Sequence, residues 1–275
     1  MSQSPFVPLL ATIKTVTELT PDVKLFEVEI NDPAARAAFT WKPGQFAFLS
    51  AFGQGEGPFG ITSSAARGKL EFAIRKVGTV TAALHELEAG ATVGLRGPMG
   101  NWFPVDDYKG KNIYIIGGGI GFAPLRPVVH HVLDNRKDYG DLVIINGARS
   151  PADLTCSNEF EEWRSSSCTR LELTVDKQFE GWEGRVALIP DVVTELKLSP
   201  KDAVAIVCGP PIMIKFALSR LKTLGFGDEQ IVTTLEQKMK CGVGKCARCN
   251  VGGIYICQDG PVFTFAQISK FIEQM

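Results

Sequence analysis

Apolar and polar positions change their rhythm once along this chain. Up to about residue 105 they alternate with a period of two. The stretches ATIKTVTEL, VKLFEVEI, QFAFLSAF, LEFAIRKV and ATVGLRGP are rich in Val, Phe and Thr, and Pro43-Gly44, Gly68 and Gly97-Pro98 punctuate them. Alternation broken by turn residues every eight to twelve positions or so predicts an antiparallel β-barrel or sandwich. One short helix is expected inside it, over 81–87, stopped by Gly90. Beyond Tyr108 the apolar runs alternate with helical patterns. Strands are expected at 112–116, 142–146, 171–175, 203–208 and 231–235, and helices over 125–133, 159–164, 186–195 and 211–224. Strands alternating with helices predict βαβ units on a parallel sheet, a Rossmann-like α/β architecture. Residues 264–274 predict a short amphipathic helix with Phe265, Ile268, Phe271 and Ile272 on one face. That face needs cover, and a partner protein is the expected source. The expected division is a β-barrel domain (1–107), an α/β domain (108–235) and a small C-terminal module (236–275).

The last of these carries the sharpest signal. Cys241, Cys246, Cys249 and Cys257 stand in KCGVGKCARCNVGGIYICQDGP, a C-x4-C-x2-C-x7-C spacing. Four thiolates begun by C-x4-C-x2-C are the plant-type way to hold a [2Fe–2S] cluster. Gly242 and Gly244 let the backbone curl and turn N–H groups towards the sulfurs, where they offset anionic charge. A structural zinc ion also takes four cysteines, but it prefers two C-x2-C knuckles; scattered buried thiols are the remaining alternative. A cluster would make the chain a one-electron carrier.

Two glycine-bearing turns lie at strand ends in the α/β region. Gly117-Gly118-Gly119-Ile120-Gly121-Phe122-Ala123-Pro124 follows one strand and opens a helix, and Cys208-Gly209-Pro210-Pro211-Ile212-Met213 does the same further on. Glycines let the backbone approach a pyrophosphate whose charge a helix N-terminus favours. The first run is not a clean G-x-G-x-x-G, since Phe122 takes the third glycine's place. Cys208 alone reads as a small buried apolar residue. In the barrel, Gly78-Thr79-Val80-Thr81 begins the short helix, where Thr79 or Thr81 can cap it and free N–H groups can take a phosphate.

Composition narrows the classes. The chain has 275 residues, room for two domains and a module, and a formal charge of −1, which suggests no nucleic-acid partner. The opening residues lack a charged region followed by a long apolar one, so no signal peptide is expected, and no apolar run reaches membrane-spanning length. Seven cysteines, four of them in one motif, suit a reducing cytoplasm better than a disulfide scaffold.

Barrel, GGGIGFAP turn and CGPPIM turn, in that order, resemble the ferredoxin–NADP⁺ reductase superfamily, a flavin-binding barrel ahead of a pyridine-nucleotide domain. With CGVGKCARCNVG and the fourth Cys, and with IRKVGTVTAALHEL, LRGPMGNWFP, GARSPADL and TVDKQFEGWEGRV, the chain resembles flavin/[2Fe–2S] electron-transfer subunits. The nearest types are the gamma subunit of NAD(P)-linked hydrogenases and the small subunit of NADH-dependent ferredoxin:NADP⁺ reductase. The resemblance implies FAD, a [2Fe–2S] cluster and NAD(P) as cofactors. It places Pro58, Phe59, Gly60, Ile61 and Thr62 against the flavin, with Phe59 beside the ring. Ile74 and Arg75 would flank the ribityl and adenosine side, and Gly78, Thr79, Val80 and Thr81 would hold the pyrophosphate. Gly118, Gly119, Gly121 and Pro124 would hold NAD(P), with Cys208, Gly209, Pro210 and Met213 near the nicotinamide. The four motif cysteines would be the metal ligands. The superfamily's flavin-loop Arg is Gly57 here, and the hydroxyl residue after the aromatic is Gly60; a phosphate clamp and a ring hydrogen bond are missing.

The implied function moves electrons between NAD(P)H, FAD and the cluster and on to the catalytic subunit of a cytoplasmic redox complex, such as a hydrogenase or bifurcating reductase. A self-sufficient NAD(P)H:ferredoxin-type reductase and a non-enzymatic redox sensor are the alternatives. No acid–base side chain is required. His85, His130 and His131 read as surface or packing residues, and Glu236 as a surface carboxylate. Arg149, after the strand LVIINGA, stands where a ribose 2′-phosphate could be held, and Lys177 follows the next strand. An Arg there suits NADP.

Overall fold

A computed structural model describes residues 4–272. They form two compact units: residues up to Phe103 together with Leu235–Pro261, and Pro104–Thr234 together with the residues from Val262 on.

The first unit contains β1 (Leu9–Thr20), β2 (Val23–Ile30), α1 (Pro33–Ala38), β3 (Phe46–Ala51), β4 (Gly55–Gly60), β5 (Leu70–Arg75), α2 (Thr79–His85) and β6 (Thr92–Met99). The strands make one antiparallel sheet in the order β4-β3-β6-β1-β2-β5, and β4 and β5 approach each other so that it curls into a barrel. Inward positions of the alternating stretches fill it: Ile13, Phe26, Val28, Leu49, Phe72, Ile74 and Leu95 are all buried. The pairing of β2 with β5 runs in unbroken register from Val23↔Arg75 to Val28↔Leu70, which keeps every inward side chain on the core face. The helix expected over 81–87 begins two residues earlier, because the Thr81 hydroxyl turns back onto the chain ahead of it.

The second unit contains β7 (Asn112–Gly118), α3 (Arg126–Asp134), β8 (Leu142–Ala148), α4 (Phe160–Ser165), β9 (Thr169–Val175), β10 (Arg185–Val186), α5 (Ile189–Glu195), β11 (Ala203–Cys208), α6 (Pro211–Thr223) and β12 (Ile231–Thr234). The remaining elements are β13 (Asn250–Val251), β14 (Ile254–Tyr255), α7 (Ile256–Asp259), β15 (Val262–Thr264) and α8 (Phe265–Ile272). The sheet order is β10-β9-β8-β7-β11-β12-β15, parallel except that β15 runs antiparallel to β12. Central strands such as β11 are buried along their whole length, as a sheet covered on both faces requires. The helix expected over 186–195 starts only at Ile189, since Arg185 and Val186 pair with β9 first.

Compactness groups the residues differently from the expected three-part division. The cysteine segment is not a third unit; it groups with the barrel, while β15 and α8 close the edge of the α/β sheet. Val232, Thr233 and Thr234 pair with Thr264, Phe263 and Val262. The segment from Leu235 to Pro261 is thus an excursion between two paired edge strands. The terminal helix is corrected too. Ile268 is fully buried, and Phe265 packs in the α/β core. The described part of its apolar face, Phe265 and Ile268, is covered by its own unit; the side chains of Phe271 and Ile272 lie outside the described residues.

Candidate functional site

In the α/β unit the chain adds β8 and β9 on one side of β7, then returns with β11 on the other. The carboxyl ends of β7 and β11 therefore flank the topological switch point, where open α/β sheets bind ligands. Both glycine turns sit there. Gly119 has a left-handed φ of +55°. A Cβ on Gly121 would stand 2.5 Å from Gly209 Cα and 2.7 Å from its N. A Cβ on Gly118 would meet Ile189 Cδ1 and Pro210 Cδ, both at 3.3 Å, and Met213 Cε at 3.5 Å. Gly118, Gly119, Gly121, Gly209, Pro210 and Met213 thus come together at a bare backbone ledge, and Pro124 lies half-buried in the turn leading into α3. Cys208 is buried, its Sγ accepting from Thr234 Oγ1 at 3.1 Å. Arg149 stands apart at the end of β8, 74% exposed, with its Nε 3.5 Å from the Asp153 carboxylate. Lys177 lies 5.4 Å from the Phe179 ring centroid.

In the barrel unit, Pro58, Phe59 and Gly60 line the half-buried edge strand β4. The Phe59 ring packs on the barrel core and folds back over Gly57, its Cζ 3.2 Å from where a Cβ at 57 would be. A side chain at 57 would displace that ring, a steric reason for glycine where the superfamily carries Arg. Val80 Cγ2 lies 3.4 Å from the Cβ position of Gly55, bringing the start of α2 to the same hairpin. The Thr81 hydroxyl accepts from Val77 N at 2.9 Å and Gly78 N at 2.8 Å and donates to Gly78 O. The first-turn N–H groups of Thr79 and Val80 are of the kind a helix leaves unpaired. Other expected contacts turn inward. Ile61 and Ile74 are core residues, and the Thr62 hydroxyl donates to Glu71 O at 3.0 Å. Arg75 Nε sits 3.1 Å from the Asp22 carboxylate.

The cysteine loop belongs to the same unit. Gly242 and Gly244 adopt φ of +76° and +70°. A Cβ on Gly242 would press on Met99 Sδ at 2.5 Å and Phe48 Cε2 at 2.7 Å, so the loop lies flat on β3 and β6. Asn101 anchors its far end, donating from N to Gly260 O at 2.6 Å and from Nδ2 to Asp259 O at 2.9 Å. Backbone N–H groups point at sulfur: Val243, Lys245 and Cys246 at Cys241 Sγ (3.5, 3.3 and 3.4 Å), Gly244 at Cys257 Sγ (3.2 Å) and Cys257 at Cys249 Sγ (3.5 Å). Burial pushes the Cys241 thiol up, but those three donors and the Cys246 thiol outweigh it and bring it down to about 6. Burial and then a hydrogen bond with Cys249 push Cys257 up to about 12. Among the described residues no three His, Cys, Asp or Glu side chains make a single-ion site. Four cysteines on one loop, with five backbone N–H groups aimed at the sulfurs of Cys241, Cys249 and Cys257, match what an anionic iron–sulfur cluster needs, so these residues fit a [2Fe–2S] cluster. Glu236 is exposed at the start of the segment.

Three family models match in this order: an oxidoreductase FAD-binding domain over residues 10–103, an oxidoreductase NAD-binding domain over 115–219, and the iron–sulfur cluster binding domain of dihydroorotate dehydrogenase B over 236–269. Sulfhydrogenase 1 subunit gamma of Pyrococcus furiosus is 40% identical over 97% of this chain and 94% of its own. The chain belongs to this family of flavin and iron–sulfur oxidoreductase subunits. Sulfhydrogenase 2 subunit gamma of the same organism is 35% identical over 95% of this chain and 96% of its own. The solved structure of an NADH-dependent reduced ferredoxin-NADP oxidoreductase shares the fold, with a TM-score of 0.76 at 24% identity over 100% of this chain and 95% of that one. FAD, a pyridine nucleotide and an iron–sulfur cluster are accordingly the cofactors of the three matched regions.

Family motifs do not announce two buried ionic groups. Behind the nucleotide turn, Arg126 Nε and Nη2 donate to Glu159 Oε1 at 2.8 and 2.5 Å, and His130 Nε2 lies 2.8 Å from Oε2. Burial pushes the Glu159 carboxyl up, but the bonds from His130 and Arg126 override it and hold it at about 2. His130 is buried beside this pair, the packing alternative of the two roles expected for it. In the barrel, Arg96, its side chain 2% exposed, forks onto Glu56 of β4 (Nε–Oε2 2.9 Å, Nη2–Oε1 2.6 Å) and donates from Nη1 to Cys241 O at 3.3 Å and Pro5 O at 2.9 Å. One guanidinium joins the β3–β4 hairpin to the cysteine loop. The only sequence signal for either group was a charge inside an otherwise apolar pattern: Arg96 in a strand, Arg126 and His130 in a helix.

Proposed function

We propose that this chain is the electron-transfer subunit of a cytoplasmic redox complex, exchanging electrons between NAD(P)H, FAD and a [2Fe–2S] cluster and a partner catalytic subunit. The observation that carries this reading is the loop of four cysteines, served by five aimed backbone N–H groups, on the barrel whose edge forms the flavin hairpin. When bound, FAD takes a hydride and releases electrons singly, and the cluster carries one at a time. The chain's own residues bind and orient. The ledge of Gly118, Gly119, Gly121 and Pro124 receives the nucleotide, with Gly209, Pro210 and Met213 towards the nicotinamide and Cys208 beneath them. Phe59, flanked by Pro58 and Gly60, supports the flavin ring. The Gly78–Thr81 turn offers N–H groups to the pyrophosphate, and Arg75 lies on the adenosine side. Ile61, Thr62 and Ile74 act from behind, as packing for that face. Cys241, Cys246, Cys249 and Cys257 are the ligands. Arg149 reaches a ribose 2′-phosphate by leaving Asp153, so the chain accepts NADPH as well as NADH. Seven free cysteines agree with a reducing compartment, and no helix among the described residues is long and apolar enough to cross a membrane.

The test is anaerobic. Holoprotein should contain about two irons and two sulfides per chain, and NADH should bleach the flavin and reduce the cluster within one mixing experiment. Stoichiometric zinc in place of iron, or a flavin that no pyridine nucleotide reduces, would overturn the assignment.

A further inference from the structure

We propose that the rim of the cysteine loop is a docking surface for a one-electron protein whose redox centre is ringed by acidic side chains. The proposal deepens the reading above, and it rests on the cluster being the electron exit.

Residues 237–258 contain Lys238, Lys240, Lys245 and Arg248 and no Asp or Glu, in a chain whose formal charge is −1. All four cations are exposed, and none forms an ion pair among the described residues. Exposed cations elsewhere are either partnered, as Lys14 and Arg36 with Glu29, Lys69 with Glu27, Lys76 with Glu86 and Lys109 with Asp138, or stand among charges of both signs, as Arg164 after Glu161 and Glu162; this segment gathers four of one sign. Lys240, Lys245 and Arg248 each directly precede a motif cysteine, 241, 246 and 249. Successive Cα atoms are about 3.8 Å apart, so chain connectivity alone places three unpaired cations next to three of the motif cysteines. Cys246, between two of them, is the exposed sulfur of the four, while Cys241, Cys249 and Cys257 are buried. The face through which an electron leaves most directly is therefore the face that carries the positive ring.

Those cations act outward more than inward. Water and salt screen exposed charges from the cluster beneath, and backbone N–H groups already serve its sulfurs. A ring of one sign around an exit steers an oppositely charged partner into register and rejects a like-charged one.

Cytochrome b5 and cytochrome c serve as probes, one-electron haem proteins with acidic and basic haem rims respectively. Each NADH supplies two electrons, reducing two ferric haems to ferrous with release of NAD⁺ and one proton. Binding of each oxidised cytochrome to oxidised holoprotein is measured by titration calorimetry at low and high ionic strength. The comparison variant is the triple substitution Lys238→Gln, Lys240→Gln, Arg248→Gln. Lys245 is kept so that the turn between Cys241 and Cys246 is left unaltered. Cytochrome b5 should bind more tightly than cytochrome c, weaken with salt, and lose about tenfold in affinity in the variant, the sum of three modest rim pairs; its salt dependence should flatten as well. Flavin bleaching by NADH and the electron paramagnetic resonance signal of the reduced cluster should not change. Cytochrome b5 affinity unaltered in the variant, or cytochrome c bound as tightly at low salt, overturns the proposal. A wild-type cluster that NADH leaves oxidised overturns the exit reading instead, while the binding comparison still decides the docking surface.

Discussion

At the scale of single residues, Arg96 shows how a buried charge serves two cofactor regions at once. Its guanidinium is desolvated, lies 4.5 Å from the Phe48 ring centroid, and spends four N–H bonds on Glu56, Pro5 and Cys241. Arg96→Met leaves Glu56 and the Cys241 carbonyl without it. Breaking such a pair costs about 3 kcal/mol, read as a lower midpoint in urea. The cluster becomes harder to reduce as well, because a nearby cation that favours the more negative state is gone. A redox titration should show a lower midpoint potential in Arg96→Met and a partial return in Arg96→Lys, which restores charge without the fork. An unchanged potential in a folded, cluster-loaded Arg96→Met would confine Arg96 to packing. Thr81→Ala is simpler. It removes the acceptor for Val77 and Gly78 N–H, should cost about 1 kcal/mol, and should weaken FAD binding measured by fluorescence recovery on release.

At the scale of elements, the glycine turns and the ionic network behind them make separate demands. Gly121→Ala forces the ends of β7 and β11 apart, since Gly209 backbone already fills the Cβ position. The KM for NADH should rise at least about tenfold while far-ultraviolet circular dichroism is retained. Glu159 sets a pH dependence. Its folded value of about 2 lies below its unfolded value of 4.5, so its stabilisation is complete above pH 4.5 and drains away as pH falls towards 2. The gap corresponds to about 3 kcal/mol. Glu159→Gln should be less stable at pH 7, with Arg126 left uncompensated, and its stability should fall less steeply between pH 4.5 and 2 in denaturant melts. Periodicity exposed most elements because their burial follows it: β2 and β11 carry the expected pattern almost residue for residue. It missed β4, whose GEGPFG has no apolar alternation and is a strand only because β3 pairs with it from Phe46↔Gly60 to Ala51↔Gly55. It also missed α1, where Asp32 caps and Pro33 starts a helix of small residues too short to show a period.

At the scale of the molecule, the cysteine segment follows the α/β strands in sequence but belongs to the same compact unit as the barrel. The cysteine motif was legible from spacing alone, but its place was not, because the β12–β15 pairing that pins both ends of Leu235–Pro261 is a long-range contact with no local signature. The terminal helix misled for a related reason: an apolar face announces that it will be covered, not by what. With the cluster loop grouped with the barrel and the nucleotide turn built wholly from the other unit, the two halves of the reaction depend on different residues. Cys249→Ala should therefore separate them. Cys249 accepts from Cys257 N and is one of the four motif cysteines, so its loss should release the cluster while leaving Gly118, Gly121, Phe59 and Thr81 as they are. Flavin bleaching by NADH, followed by anaerobic stopped flow, should proceed within about twofold of the wild-type rate, since no group that binds nucleotide or flavin is altered. Reduction of cytochrome b5 in the same samples should fall to background. If flavin bleaching is lost in a variant that still holds FAD and is folded by circular dichroism, the order nucleotide, flavin, cluster is wrong. If cytochrome b5 is still reduced at the wild-type rate, electrons leave from the flavin, and the four cysteines serve to shape the loop.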